Sequence, residues 1–172
     1  MRPILVSIAF VLALAAPAAA QEAEPTCPAD AKPIPAHLAS WTHPTPLTAA
    51  ASAADAGKAA LKVGRAVDAA LPSTGDVKFS LRPEKPGGSV SHGGLFSVDI
   101  GKAGTYTVAL STGAWIDVVR DGKALESSAH GRGPACTTLR KMVQFPLQPG
   151  RYLIQISANA EPKIGIMVAA NP

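Results

Sequence analysis

Apolar and polar residues alternate with a period of two through most of the chain after residue 62. Val67, Ala69 and Leu71 alternate, then Val77, Phe79 and Leu81, then Phe96, Val98 and Ile100. Residues 105–110, 114–119, 142–147, 152–156 and 163–168 behave alike. Successive side chains of a strand point to opposite faces, so each such segment buries one face and wets the other. About eight short strands, separated by Gly, Pro and Asp signals, predict an all-β fold. Their regular spacing suits an antiparallel, jelly-roll-like sandwich at residues 62–172. Asp121-Gly122 marks a hairpin, because this pair tolerates the positive φ angles of a type I′ turn.

The segment before the alternation has another character. Residues 22–46 carry six prolines, each fixing φ and removing a donor. The expectation is an extended strap on the domain surface, with Leu38 and Trp41 as apolar anchors. Residues 48–61 are alanine-rich, which favours a short helix capped by Thr48 and ended near Gly57. Residues 21–61 together form the expected Pro/Ala-rich N-terminal segment.

The first twenty residues form a unit of their own. Arg2 precedes an apolar run over residues 4–16, and Ala18-Ala19-Ala20 completes the pattern of a cleaved secretory signal peptide. The run is shorter than the roughly 20 residues a membrane span needs, so no transmembrane segment is expected. The first cysteine after the cleavage pattern is Cys27, which argues against a lipid anchor there. A periplasmic or secreted protein starting near Gln21 is the expectation. In that oxidising setting Cys27 and Cys136, the two cysteines of the chain, read as a disulfide.

Two short segments resemble each other. IGKAGTY ends at Tyr106 and LQPGRY at Tyr152, each with glycine two residues before tyrosine at a strand corner. The second has the form of a tyrosine corner, in which the phenol reaches back to the backbone. Both tyrosines are therefore assigned to structure.

Charge narrows the partners. Beyond residue 20 there are fifteen basic and twelve acidic side chains, scattered apart from a loose group of Arg132, Arg140 and Lys141. Nucleic-acid binders concentrate basic residues in a stripe with interleaved aromatics, and none is present. A monomer is expected.

Candidate chemistry concentrates in ESSAHGRGPAC, residues 126–136. His92 and His130, each beside glycine, with Glu126 or Asp117, give the residue types of a two-histidine, one-carboxylate iron site, although no compact spacing motif accompanies them. Ser127 and Ser128 precede His130, but no GxSxG is present and serine catalysis needs an oriented base and an oxyanion hole. Trp115 and Asp117 share one strand face, opposite Ile116 and Val118. With His130, Arg132 and a nearby Arg120 or Lys123 they compose a candidate patch for a polar ligand.

The run LFSVDIGKAGTYTVAL, then AWIDVV and VQFPLQPGRYLIQI, resembles the pre-peptidase C-terminal domains of secreted bacterial proteins. Those are jelly-roll-like sandwiches appended to hydrolases, and the similarity covers residues 95–168. The pieces PEKPGGSVSHGGLF, AWIDVVRDGKALES, AHGRGPAC and FPLQPGRY resemble short exported bacterial proteins of uncharacterised function, some labelled homogentisate 1,2-dioxygenase. The enzyme family of that name is longer and cupin-like, and holds iron with two histidines and a glutamate. The expected function is a non-catalytic module, without cofactor, binding an envelope glycan, peptide or protein. The label implies the alternative of a small iron-dependent dioxygenase using His92, His130 and Glu126. An adaptor pairing through an exposed edge strand is the third reading.

Overall fold

The structure is a computed structural model and describes residues 27–172. The expected signal peptide, residues 1–20, lies outside the described residues. Eleven strands run in chain order as β1 (Thr45–Thr48), β2 (Ala60–Leu61), β3 (Ala66–Ala70), β4 (His92–Ile100), β5 (Gly104–Leu110), β6 (Trp115–Arg120), β7 (Lys123–Ala124), β8 (Ala129–Gly131), β9 (Lys141–Leu147), β10 (Gly150–Asn159) and β11 (Lys163–Ala170). They build a six-stranded sheet ordered β1-β3-β11-β5-β9-β8 and a five-stranded sheet ordered β2-β4-β10-β6-β7. The all-β sandwich expected from the alternation is present.

The pairings nest. β3 pairs with β11, β4 with β10, β5 with β9 and β6 with β7, all antiparallel. The period-two pattern places the core. Val108 and Leu110 on β5 lie beside Val168 and Ile166 on β11, and Val143 on β9 faces Val108 in register. Across the sandwich, Phe96 and Val98 of β4 align with Ile154 and Tyr152 of β10, and Ile154 with Val118 of β6. All of these belong to one buried cluster.

Both tyrosines sit at their expected corners. The Tyr152 hydroxyl donates to the Gln148 carbonyl at 2.8 Å and accepts from the Gln148 N–H at 3.0 Å and from Arg120 at 2.8 Å. The Tyr106 hydroxyl donates to the Lys102 carbonyl at 2.8 Å, again four residues upstream. The hairpin between β6 and β7 turns at Asp121 and Gly122, whose φ angles are 51° and 72°, as a type I′ turn requires.

A second, smaller core covers the outer face of the six-stranded sheet. Leu38 and Trp41, from a 3₁₀ helix at Ala36–Thr42, pack there with Leu139, Met167 and Ala109. Trp41 Nε1 donates to Thr138 Oγ1 at 2.7 Å. The disulfide joins Cys27 to Cys136 across 109 residues, with Cα atoms 5.7 Å apart. Two ties, one covalent and one a hydrogen bond, therefore bind the strap to the loop at residues 132–140.

Three local expectations change. The alanine-rich stretch is a 3₁₀ helix at Ala53–Ala59 rather than one helix over residues 48–61, and it leads directly into β2. The sheets also begin before residue 62, since β1 pairs parallel with β3 and β2 parallel with β4. Residues 77–81 form no strand. Lys78 makes a single bridge to Ser52, and the amide of the buried Gln155 stands in for a neighbouring strand. Its Oε1 accepts from Ser80 N at 2.6 Å and Leu81 N at 3.1 Å, while Nε2 donates to Leu81 O at 3.2 Å. Pro83 and Pro86 follow closely, and proline cannot donate to a ladder. The alternation was right about the buried face and wrong about the pairing.

Candidate ligand-binding cleft

The sandwich is open along one side. There β6 and β7 form the rim of one sheet, β8 and β9 that of the other, and residues 125–128 bridge them. β7 covers β6 only at Val119 and Arg120. Val118 O accepts from Leu125 N at 2.8 Å on that side. Strand backbones turn alternate residues the same way, so Ile116 directs its own N–H and C=O to the side where no strand pairs with it. The result is a cleft of about 750 Å³ whose floor includes Ile116, Val143 and Phe145.

Trp115 stands half-buried in this cleft and donates from Nε1 to Asp117 Oδ1 at 2.9 Å. The ammonium of Lys85 lies 5.2 Å from the centre of the Trp115 ring, and that of Lys141 lies 5.3 Å away. Both distances fall within the range in which a cation is attracted to the ring's electron density. Lys141 Nζ also donates to the Ala114 carbonyl at 2.7 Å. Burial pushes the Lys141 pKa below its ordinary value; the Lys85 charge lowers it further, and Asp117 partly offsets both.

Of the candidate residues, the structure brings Trp115, Asp117, Glu126, His130 and Arg132 together on one cleft. His130 lies on β8, a short strand within a stretch where the sequence shows no alternation. Ser127 lines the same cleft, and Ser128 bonds through its N–H to Gln144 O at 2.8 Å. No serine–histidine hydrogen bond forms at this stretch among the described residues, so the pieces of a serine nucleophile are not assembled. Arg120 leaves the expected patch. Its guanidinium lies 5.1 Å from the centre of the Tyr152 ring and bonds the phenol, at the end of the core.

The iron ligand set is not assembled either. His92 opens β4 in the five-stranded sheet, in register with Asn159, while His130 sits at the far edge of the six-stranded sheet. Among the described residues no group of three or more His, Cys, Asp or Glu is placed to hold a metal ion. His92 Nδ1 is buried without a hydrogen-bond partner.

Sequence reasoning missed Lys85 and treated Lys141 only as part of a loose basic group with Arg132 and Arg140. That group was the available signal, since all three of its members line the cleft. Nothing local marks Lys85, which arrives from the irregular segment that Gln155 and Ser157 hold down. Ser157 Oγ donates to Lys85 O at 2.8 Å.

No protein-family model and no curated protein sequence matches the chain. No helix among the described residues is long and apolar enough to cross a membrane.

Proposed function

We propose that this chain is an exported, non-catalytic jelly-roll module that binds a fragment of envelope glycan in the cleft beside Trp115. Nested antiparallel pairing of β3 with β11, β4 with β10, β5 with β9 and β6 with β7 supports the jelly-roll reading. The disulfide and the pattern of residues 1–20 support export.

One observation carries the binding role. Candidate residues chosen from separate stretches of sequence, Trp115 and Asp117 on β6 and His130 and Arg132 near β8, converge on a single cleft with an apolar floor. A cleft with an aromatic side chain and a few converging polar groups is the usual form of a small-ligand site. The open Ile116 backbone adds a donor and an acceptor suited to sugar hydroxyls.

The test is calorimetric titration of the purified protein with a panel of soluble glycan oligomers, in wild type and Trp115→Ala. Binding that weakens at least about tenfold in the variant, with melting unchanged, is the expected result. Equal binding by both proteins would contradict it. Binding confined to extended peptides would instead favour strand addition along the free edge of β6.

A further inference from the structure

We propose that the cleft is selective for acidic sugars, holding a carboxylate of the ligand between Lys85 and Lys141. This rests on the glycan-binding reading above and adds its chemical class.

The two ammoniums are held against one indole ring, at 5.2 and 5.3 Å from its centre. They therefore lie no farther apart than the sum of those distances. Neither has a carboxylate of its own. Among the described residues the ion pairs are Lys58–Asp55, Arg120–Asp121 and Arg151–Asp99. None involves Lys85, Arg132, Arg140 or Lys141, the four cations of the cleft. Asp117, the acid whose charge acts on Lys141, is already engaged by Trp115 Nε1 at 2.9 Å and approached by Gln155 Nε2 at 3.5 Å.

A like-charged pair gathered on an aromatic ring stores repulsion that an arriving anion relieves. The anion also gains charge-assisted hydrogen bonds from both ammoniums. The cleft is not uniformly basic, because Glu84, Asp117 and Glu126 line it as well. That mixture disfavours a densely charged polyanion and suits a hydroxyl-rich ligand with no more than one carboxylate per sugar ring, one of which meets the two ammoniums. The apolar floor of Ile116, Val143 and Phe145 accepts the less polar face of that ligand.

The experiment titrates the purified protein with trigalacturonate, its methyl ester, maltotriose and inorganic phosphate, at low and high salt. Wild type, Lys85→Met and Lys141→Arg are compared. Among the described residues the Lys85 side chain donates no hydrogen bond, so Lys85→Met removes charge while leaving their bonds in place. The expected result is binding of the acid at least about tenfold tighter than of the ester, weakened by salt. Lys85→Met should lose that preference, and Lys141→Arg should keep it. Equal binding of acid and ester, or an unchanged preference in Lys85→Met, would overturn the acidic specificity while leaving a glycan cleft standing. Failure of every saccharide would overturn both. Phosphate binding as tightly as trigalacturonate would overturn the sugar-acid assignment in favour of a bare anion site.

Discussion

Tyr152 and Tyr106 show how much one hydroxyl can be asked to do. The Tyr152 oxygen serves three bonds, two to Gln148 and one from Arg120, whereas the Tyr106 oxygen serves one. An intramolecular hydrogen bond contributes about 0.5–1.5 kcal/mol net, and more where a charged group takes part. Tyr152→Phe should therefore cost about 2–3 kcal/mol and Tyr106→Phe about 1 kcal/mol. Urea denaturation would show the difference as unequal midpoints, and equal midpoints would contradict the account of the corner. Both corners were legible in the sequence because glycine-x-tyrosine within apolar alternation is a local signal. The Arg120 contact was not, since it depends on β6 and β10 lying side by side. It also explains Gly150, where a Cβ would stand 3.0 Å from the Arg120 guanidinium on a backbone with φ of 140°.

At the scale of elements, Gln155 does the work of a missing strand. Its amide bonds the backbone of Ser80 and Leu81 from both of its ends, and so fastens residues 77–90 over the five-stranded sheet. Gln155→Leu keeps the volume and removes those bonds. We expect a loss of about 1–3 kcal/mol and faster hydrogen exchange at the Ser80 and Leu81 amides. Unchanged exchange there would contradict the clasp. Alternation exposed which side chains of residues 77–81 turn inward, with Val77 buried and Phe79 and Leu81 half-buried. It carried no information on whether the neighbouring partner was backbone or a side-chain amide. The strands that went unread, β1, β2 and β8, span four residues or fewer. Such pieces are too short to display a period and are held by the pairing of distant residues.

For the whole molecule, the N-terminal strap and the cleft are one construction. The strap is tied to residues 132–140 by the disulfide and by Trp41, and that loop brings Arg132 and Arg140 to the cleft rim. A cross-link over so long a loop stabilises by about 4–5 kcal/mol in the chain-entropy account. Here it also fixes the position of two of the cleft's cations. The strap's anchors Leu38 and Trp41, the disulfide and the Trp115–Asp117 face could be read from sequence because each depends on one segment or one residue type, whereas the 3₁₀ helix at Ala36–Thr42 departs from the extended path expected there. The cleft could not, because Lys85 reaches Trp115 only once residues 77–90 are folded back over the sheet. The most direct test of the central claim is amide chemical-shift mapping of the labelled protein during titration with trigalacturonate. The account predicts shifts concentrated at Lys85, Trp115, Ile116, Arg132 and Lys141, with the strap and the opposite sheet edge at β1 unmoved. Shifts centred on β1, or absent from the cleft at a concentration that saturates binding, would contradict it.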